Sequence, residues 1–357
     1  MKQISPETTE LNIGFMPLTD CAPIVMAYEL GLFEKYGLQV TLDRQNSWAT
    51  LRDKLHAGLL DGAQMLAPMP FASTLGVRGP RHHVIAPFVL SRNGNAITIS
   101  HQLYDEILDC HNLNKLSLPL SSSLLKELIS RRNAEGRKLR FAAVHPNSCH
   151  YYQLMSWLHM SGIELSEVDI SILPPSGMVD ALANDYIDAF CVGGPWNAEA
   201  VRQDVGTTVL TSSDIWSDSP EKVLGVSLDW YQKNPQTMMA LIAALQESCD
   251  WLEHVPNRFE AARILVKENY LNTNLDVIAP SLLGSCLTRA GEQPRRIPSY
   301  NQFSAIDKSD GNAPEYAQGE RILQYMIEAQ HLSRQDVSHE LISSVYRSDI
   351  YEDFLAL

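Results

Sequence analysis

The sequence predicts an α/β protein of two lobes, the second inserted into the first. Three observations carry this expectation. Short apolar runs alternate with helical stretches through the first ninety residues, the same alternation restarts near residue 141, and the last third is mainly helical. At 357 residues the chain is too long for one small core. Its 45% hydrophobic and 20% charged content is that of an ordinary folded domain rather than a disordered one.

The elements follow in order. Leu11–Met16 reads as a strand and Ala22–Tyr36 as an amphipathic helix, with Gly37 as its C-cap before the strand Leu38–Leu42. Ser47 offers an N-cap to a helix over Trp48–Ala57, which Gly58 ends. Gly62–Leu66 is a third, buried strand, Met69–Leu75 a short helix and Val84–Leu90 a fourth strand. Strands separated by helices imply a parallel sheet covered on both faces. A Gly94-Asn95 break precedes Ala96–Ser100, and a helical, Leu/Ser-rich segment runs to about Arg132. The second series is strand Phe141–Val144, helix His150–Met160, strand Val168–Leu173, helix Met178–Asn184, strand Ala189–Val192 and helix Asn197–Asp204. Thr207–Leu210 reads as a strand returning to the first lobe. Helices Pro235–His254, Arg258–Glu268, Glu315–Ala329 and Arg334–Tyr346 complete the chain, and Gly291–Pro314, rich in Pro, Ser, Asn and Gly, reads as a surface loop. The expected division is therefore 1–94 with 208–357 for lobe 1 and 95–207 for lobe 2. Crossovers near 91–97 and 206–212 would act as a hinge, a layout suited to closing on a small molecule in the cleft between the lobes.

Composition narrows the function. A formal charge of −14 argues against direct nucleic-acid binding, which needs a basic face. The same charge requires that any anionic ligand be held by local donors against an unfavourable overall field. The six cysteines stand singly, without C-x-x-C or zinc spacing, and read as reduced, mostly buried thiols. No apolar run approaches the roughly 20 residues that cross a bilayer, so no membrane partner is expected. The residues ahead of the first strand hold no basic n-region, apolar h-region or cleavage site, which predicts a cytoplasmic chain unless the sequence is an already trimmed form. No nucleophile, metalloprotease, Walker A or dinucleotide motif stands in its required context, so neither catalysis nor a cofactor nor a metal is expected. His82-His83 lacks spaced ligand partners and reads as a polar lead-in to Val84–Leu90; His145 and His159 likewise lack partners.

An ordered series of blocks resembles a known family. It comprises Ile13–Pro23 (IGFMPLTDCAP), Ser47–Leu55 (SWATLRDKL), Met65–Pro70 (MLAPMP), Asn93–Thr98 (NGNAIT), Cys191–Asn197 (CVGGPWN), Pro220–Gly225 (PEKVLG) and Val345–Tyr351 (VYRSDIY). Together they resemble nitrate-binding proteins of NrtA type and their bicarbonate-binding relatives, over about residues 11 to 352. The resemblance implies a type II periplasmic-binding-protein-like fold of two α/β lobes with the ligand between them. With no export signal, the chain is similar to NasS-type nitrate/nitrite sensors. That implies a cytoplasmic protein that holds a NasT-type RNA-binding antiterminator until the anion binds, so controlling nitrate-assimilation genes. The competing expectation is the periplasmic solute-binding component of a nitrate ABC transporter.

Nitrate is flat, singly charged and acceptor-only, so its receptor needs N–H donors from several directions and a compensating charge. The resemblance places six residues there. Trp48 carries an indole N–H, donor only, at a helix start whose dipole favours anions; by residue type alone it also reads as a core tryptophan. Asn95 supplies an amide, or serves only as a turn residue after Gly94. His150 opens a helix, where the neutral imidazole is favoured, and otherwise reads as a solvent-facing cap residue. Gly193 and Gly194 let the backbone approach a ligand and offer amides, in what is also a tight strand-to-helix turn. Lys222 is where the family places its charge-compensating lysine, which bicarbonate-binding relatives lack, so its presence implies nitrate or nitrite. Cys149 and Trp196 read as packed residues outside the site.

Overall fold

The computed structural model describes residues 4–304 and 311–357. The chain divides into two compact α/β units, the first formed by residues 1–92, 218–273 and 302–357, the second by 93–217 and 274–301. Residues 305–310 of the expected surface loop lie outside the described residues.

In the first unit, strands β1 (Glu10–Phe15), β2 (Gln39–Arg44), β3 (Gly62–Leu66) and β4 (Val84–Asn93) follow the expected alternation with helices. Neighbouring strands run β2–β1–β3–β10–β4, where β10 is Pro220–Ser227. The first three are parallel, and β10 is antiparallel to both its neighbours. β3 and β4 are buried along their whole length, as strands covered on both faces must be. The long helix Pro235–Leu252 packs against Ala22–Glu29, and its twelve buried residues make it a core element. Its serine Ser248 donates to the Pro23 carbonyl at 2.7 Å. The expected helix Ala22–Tyr36 is broken at Gly31, whose φ of 67° suits glycine, so Leu32–Lys35 forms a separate turn.

In the second unit, β5 (Asn95–Ser100), β6 (Leu139–Ala143), β7 (Val168–Ile172), β8 (Ala189–Gly193) and β9 (Gly206–Thr211) form a five-stranded sheet in the order β7–β6–β8–β5–β9. Again three strands are parallel, and the fourth, β5, runs against both neighbours. Its core gathers Ile97, Ile99, Leu103, Ile107, Phe141, Leu154 and Trp157 with their neighbours.

The structure differs from the sequence reading at four points. β9 does not return to the first unit: Ile97 pairs with Leu210 and Thr98 with Thr208, so 208–217 belong to the second. Residues 274–301 also join it, because the Thr208 amide donates to the Thr288 carbonyl at 2.8 Å and Cys286, Ile297 and Tyr300 form a small core with Ala96. Asn93 and Gly94 likewise fall in the second unit. β10 is absent from the sequence reading, since its charged start, Pro220-Glu221-Lys222, conceals a strand buried from Pro220 to Val226. The C-terminal helices are fastened to the first unit: Tyr346 OH donates to Ala67 O at 3.2 Å and the Arg347 amide to Ala86 O at 3.1 Å. Among the described residues no helix is long and apolar enough to cross a membrane.

Candidate functional site

The first unit assembles its group at the C-terminal edge of its parallel strands, where loops and helix starts converge. After β2, Ser47 caps the helix Trp48–His56 by accepting from the Thr50 amide at 3.1 Å, which fixes Trp48 as its first residue. Trp48 is 1% exposed, yet its indole Nε1–H has no hydrogen-bond acceptor among the described residues. A buried donor left so costs about 1–3 kcal/mol. The Lys222 ammonium lies 5.3 Å from the centroid of the same ring, within cation–π reach.

Lys222 itself is fully buried at the start of β10, opposite Leu66, the last residue of β3, and Ser91 of β4. Its Nζ lies 2.8 Å from Asp20 Oδ2 and 2.7 Å from Glu221 Oε1. Asp20 stands in the turn after β1 and accepts a second bond from Gln64 Nε2 at 2.8 Å. Gln64 is oriented in turn by the Met16 amide, which donates to its Oε1 at 2.9 Å. Burial alone would lower the lysine's pKa, but the two carboxylates outweigh it and hold the pKa above the usual 10.5. The ammonium is therefore not a spare charge awaiting an anion, as the sequence suggested; it is the hub of a buried ionic cluster. Thr19 Oγ1 and Ser91 Oγ, both buried, also lack partners among the described residues.

The second unit places the other four expected residues. Asn95 begins β5 directly opposite Gly193, the last residue of β8. Its Nδ2 donates to Gln153 Oε1 at 2.8 Å, and Gln153 lies on the helix Cys149–His159 that follows β6. Ser148 caps that helix by accepting from the Tyr151 amide at 3.0 Å, so His150 sits in its first turn. His150 is fully buried, not a solvent-facing cap residue. Gly194 differs from expectation: its amide donates to the Gly94 carbonyl at 3.3 Å, which closes the crossover turn and removes it as a ready donor. Trp196, read as mere packing, carries a buried Nε1 with no acceptor among the described residues, at the first position of helix Trp196–Arg202. The structure thus joins Trp48 with Lys222 in one unit, and Asn95 with Gly193, near Gln153 of the His150 helix, in the other.

Asp20, Glu221 and Gln64 were missed as functional residues. A signal existed for the carboxylates, because a lysine in a dry site requires them. Both stand inside blocks that carried the family resemblance.

Comparison with known proteins is decisive for kinship. The model of the NMT1-like family matches residues 5–266, and the fold follows that of a solved nitrate-binding relative. The chain belongs to the NMT1-like family. That solved relative is the periplasmic nitrate-binding protein NrtA from Synechocystis PCC 6803, with a TM-score of 0.89 and 27% identity over 99% of this chain and 89% of that one. The chain is also 34% identical to the nitrate/nitrite binding protein NrtA of Synechococcus elongatus, over 78% of itself and 63% of that protein. With the nitrate import ATP-binding protein NrtC of Synechocystis it shares 35% identity over 97% of itself and 50% of NrtC. The chain thus spans only about half to two thirds of these curated relatives. The expected type II periplasmic-binding-protein-like fold and the likeness to NrtA-type proteins are borne out.

Proposed function

We propose that this protein binds nitrate or nitrite, and that Trp48 of the first unit is one of the groups that hold the anion. The observation that carries the reading is the Trp48 indole: a donor-only group, 1% exposed and without an acceptor among the described residues. An acceptor-only oxyanion supplies what it lacks. The kinship with NrtA supplies the ligand class. Lys222 favours nitrate or nitrite over bicarbonate within this family. Isothermal titration with nitrate, nitrite, bicarbonate and chloride tests the reading. Saturable one-to-one binding of nitrate or nitrite, with bicarbonate and chloride weaker, is expected; heat from bicarbonate alone would overturn it.

In the finer reading, the protein is a cytoplasmic sensor that holds a NasT-type antiterminator and releases it when the anion binds. Its support is the set of six free thiols, five of them buried, which fit a reducing compartment. The similarity to NrtA and to the nitrate import protein NrtC favours a second reading, the solute-binding part of a nitrate importer. Mixing the protein with a NasT-type antiterminator separates them. A complex that dissociates on adding nitrate supports the sensor, and the absence of any complex supports the importer.

A further inference from the structure

A second cluster of ligand-type side chains lies in the second unit. The helix His101–His111 ends at Asn112, whose φ of 50° turns the chain away, and the helix Lys126–Ala134 starts beside it. This junction gathers Cys110, His111 and Glu127, whose ligand atoms all lie within 4.8 Å of one another, the one such group among the described residues. In a tetrahedral zinc site ligand atoms stand roughly 3.3–3.8 Å apart, a gap that small side-chain rotations close. Cys110 is also the one thiol of six that is not buried.

Two further features suit a cation. His111 Nε2 lies 2.8 Å from the Leu124 carbonyl oxygen. A carbonyl only accepts, so Nε2 carries the proton and Nδ1 keeps the lone pair that a metal needs. The carbonyl end of the helix adds partial negative charge. Arg131, one turn after Glu127, is the opposing charge.

We propose that Cys110, His111 and Glu127 form a binding site for a zinc-type divalent cation, with water completing the coordination. Binding replaces the thiol proton: the Cys110 S–H bond breaks, a sulfur–metal bond forms, and the proton passes to solvent. The ion joins two helices and closes the segment between them, so it raises thermal stability. The sequence concealed this site because Cys110-His111 is contiguous and its third ligand stands far along the chain. The inference is independent of the anion reading.

Cobalt(II) titration of the full chain, followed by the thiolate-to-cobalt charge-transfer absorption, is the test. A saturable band at one equivalent, displaced by zinc, is expected. Cys110→Ser should abolish it, while His111→Ala and Glu127→Gln should each weaken cobalt binding more than about tenfold. Zinc should raise the thermal midpoint of the wild type and leave Cys110→Ser unmoved. Absence of the band in the wild type, or its survival in Cys110→Ser, overturns the proposal. If Cys110→Ser fails to fold, the exposed Glu127→Gln decides, and unchanged affinity there refutes the site.

Discussion

The two lobes repeat one strand plan but furnish it with opposite chemistry. In the first, the antiparallel fourth strand sets Lys222, its third residue, opposite the end of β3; in the second it begins with Asn95 opposite the end of β8. Each residue reaches a partner in the segment after the sheet's second strand in spatial order, Asp20 after β1 and Gln153 after β6. One contact is an ion pair inside a buried cluster, and the other is a neutral amide bond. The difference teaches that the first lobe's group is held together by charge, whereas the second lobe's is held by neutral hydrogen bonding. No sequence repeat announces this equivalence.

The largest expected effect tests the charged half. Lys222→Ala leaves Asp20 and Glu221 buried without their common cation, so unfolding by urea should show a loss of about 3–5 kcal/mol along with loss of nitrate-dependent stabilisation. Wild-type stability in this variant would erase the contrast between the lobes. Next in size, Trp48→Phe removes the indole donor. Nitrate affinity should fall by roughly 1.5–3 kcal/mol, the worth of a hydrogen bond to a charged group, measured by titration calorimetry. No internal hydrogen bond is lost, because Nε1 makes none among the described residues.

Asn95→Ala should act the other way, costing about 1–3 kcal/mol of stability as Gln153 Oε1 loses its donor. Stability equal to the wild type would show that this neutral bond does not hold the second lobe's group together. The last contrast is the pH response of the first lobe. Burial, with nearby His82, lowers His56 to about 4, and burial, with Arg78, lowers His331 to about 4. Both values lie below the unfolded 6.5, so the unfolded chain takes up more protons as the medium acidifies. Their contribution is complete above about pH 6.5, declines as pH falls and levels off below about 4. Thermal midpoints across this range should flatten in a His56→Gln/His331→Gln variant.

Much of this was legible in the residues. Apolar periodicity located most strands, and the Ser47 cap located the helix opening at Trp48; the helix expected from His150 begins one residue earlier, at Cys149. β10 was not legible, because its charged start, Glu221-Lys222, does not read as a buried strand until Lys222 is seen paired with Glu221 and Asp20. The fate of β9 was equally hidden: Thr207–Leu210 is an apolar strand by composition, and only pairing with β5 decides its sheet. Asp20 escaped notice because its role depends on a lysine two hundred residues away in sequence. The Gly194 amide was misjudged for a related reason, since its acceptor, Gly94, comes from the distant crossover.

The most direct test of the central claim is a nitrate titration followed through the indole N–H resonances of nitrogen-15-labelled protein, with Trp48 assigned from the Trp48→Phe variant. The account predicts that the Trp48 indole proton moves progressively downfield and saturates at one equivalent of nitrate. Nitrate binding with that resonance unmoved would contradict it.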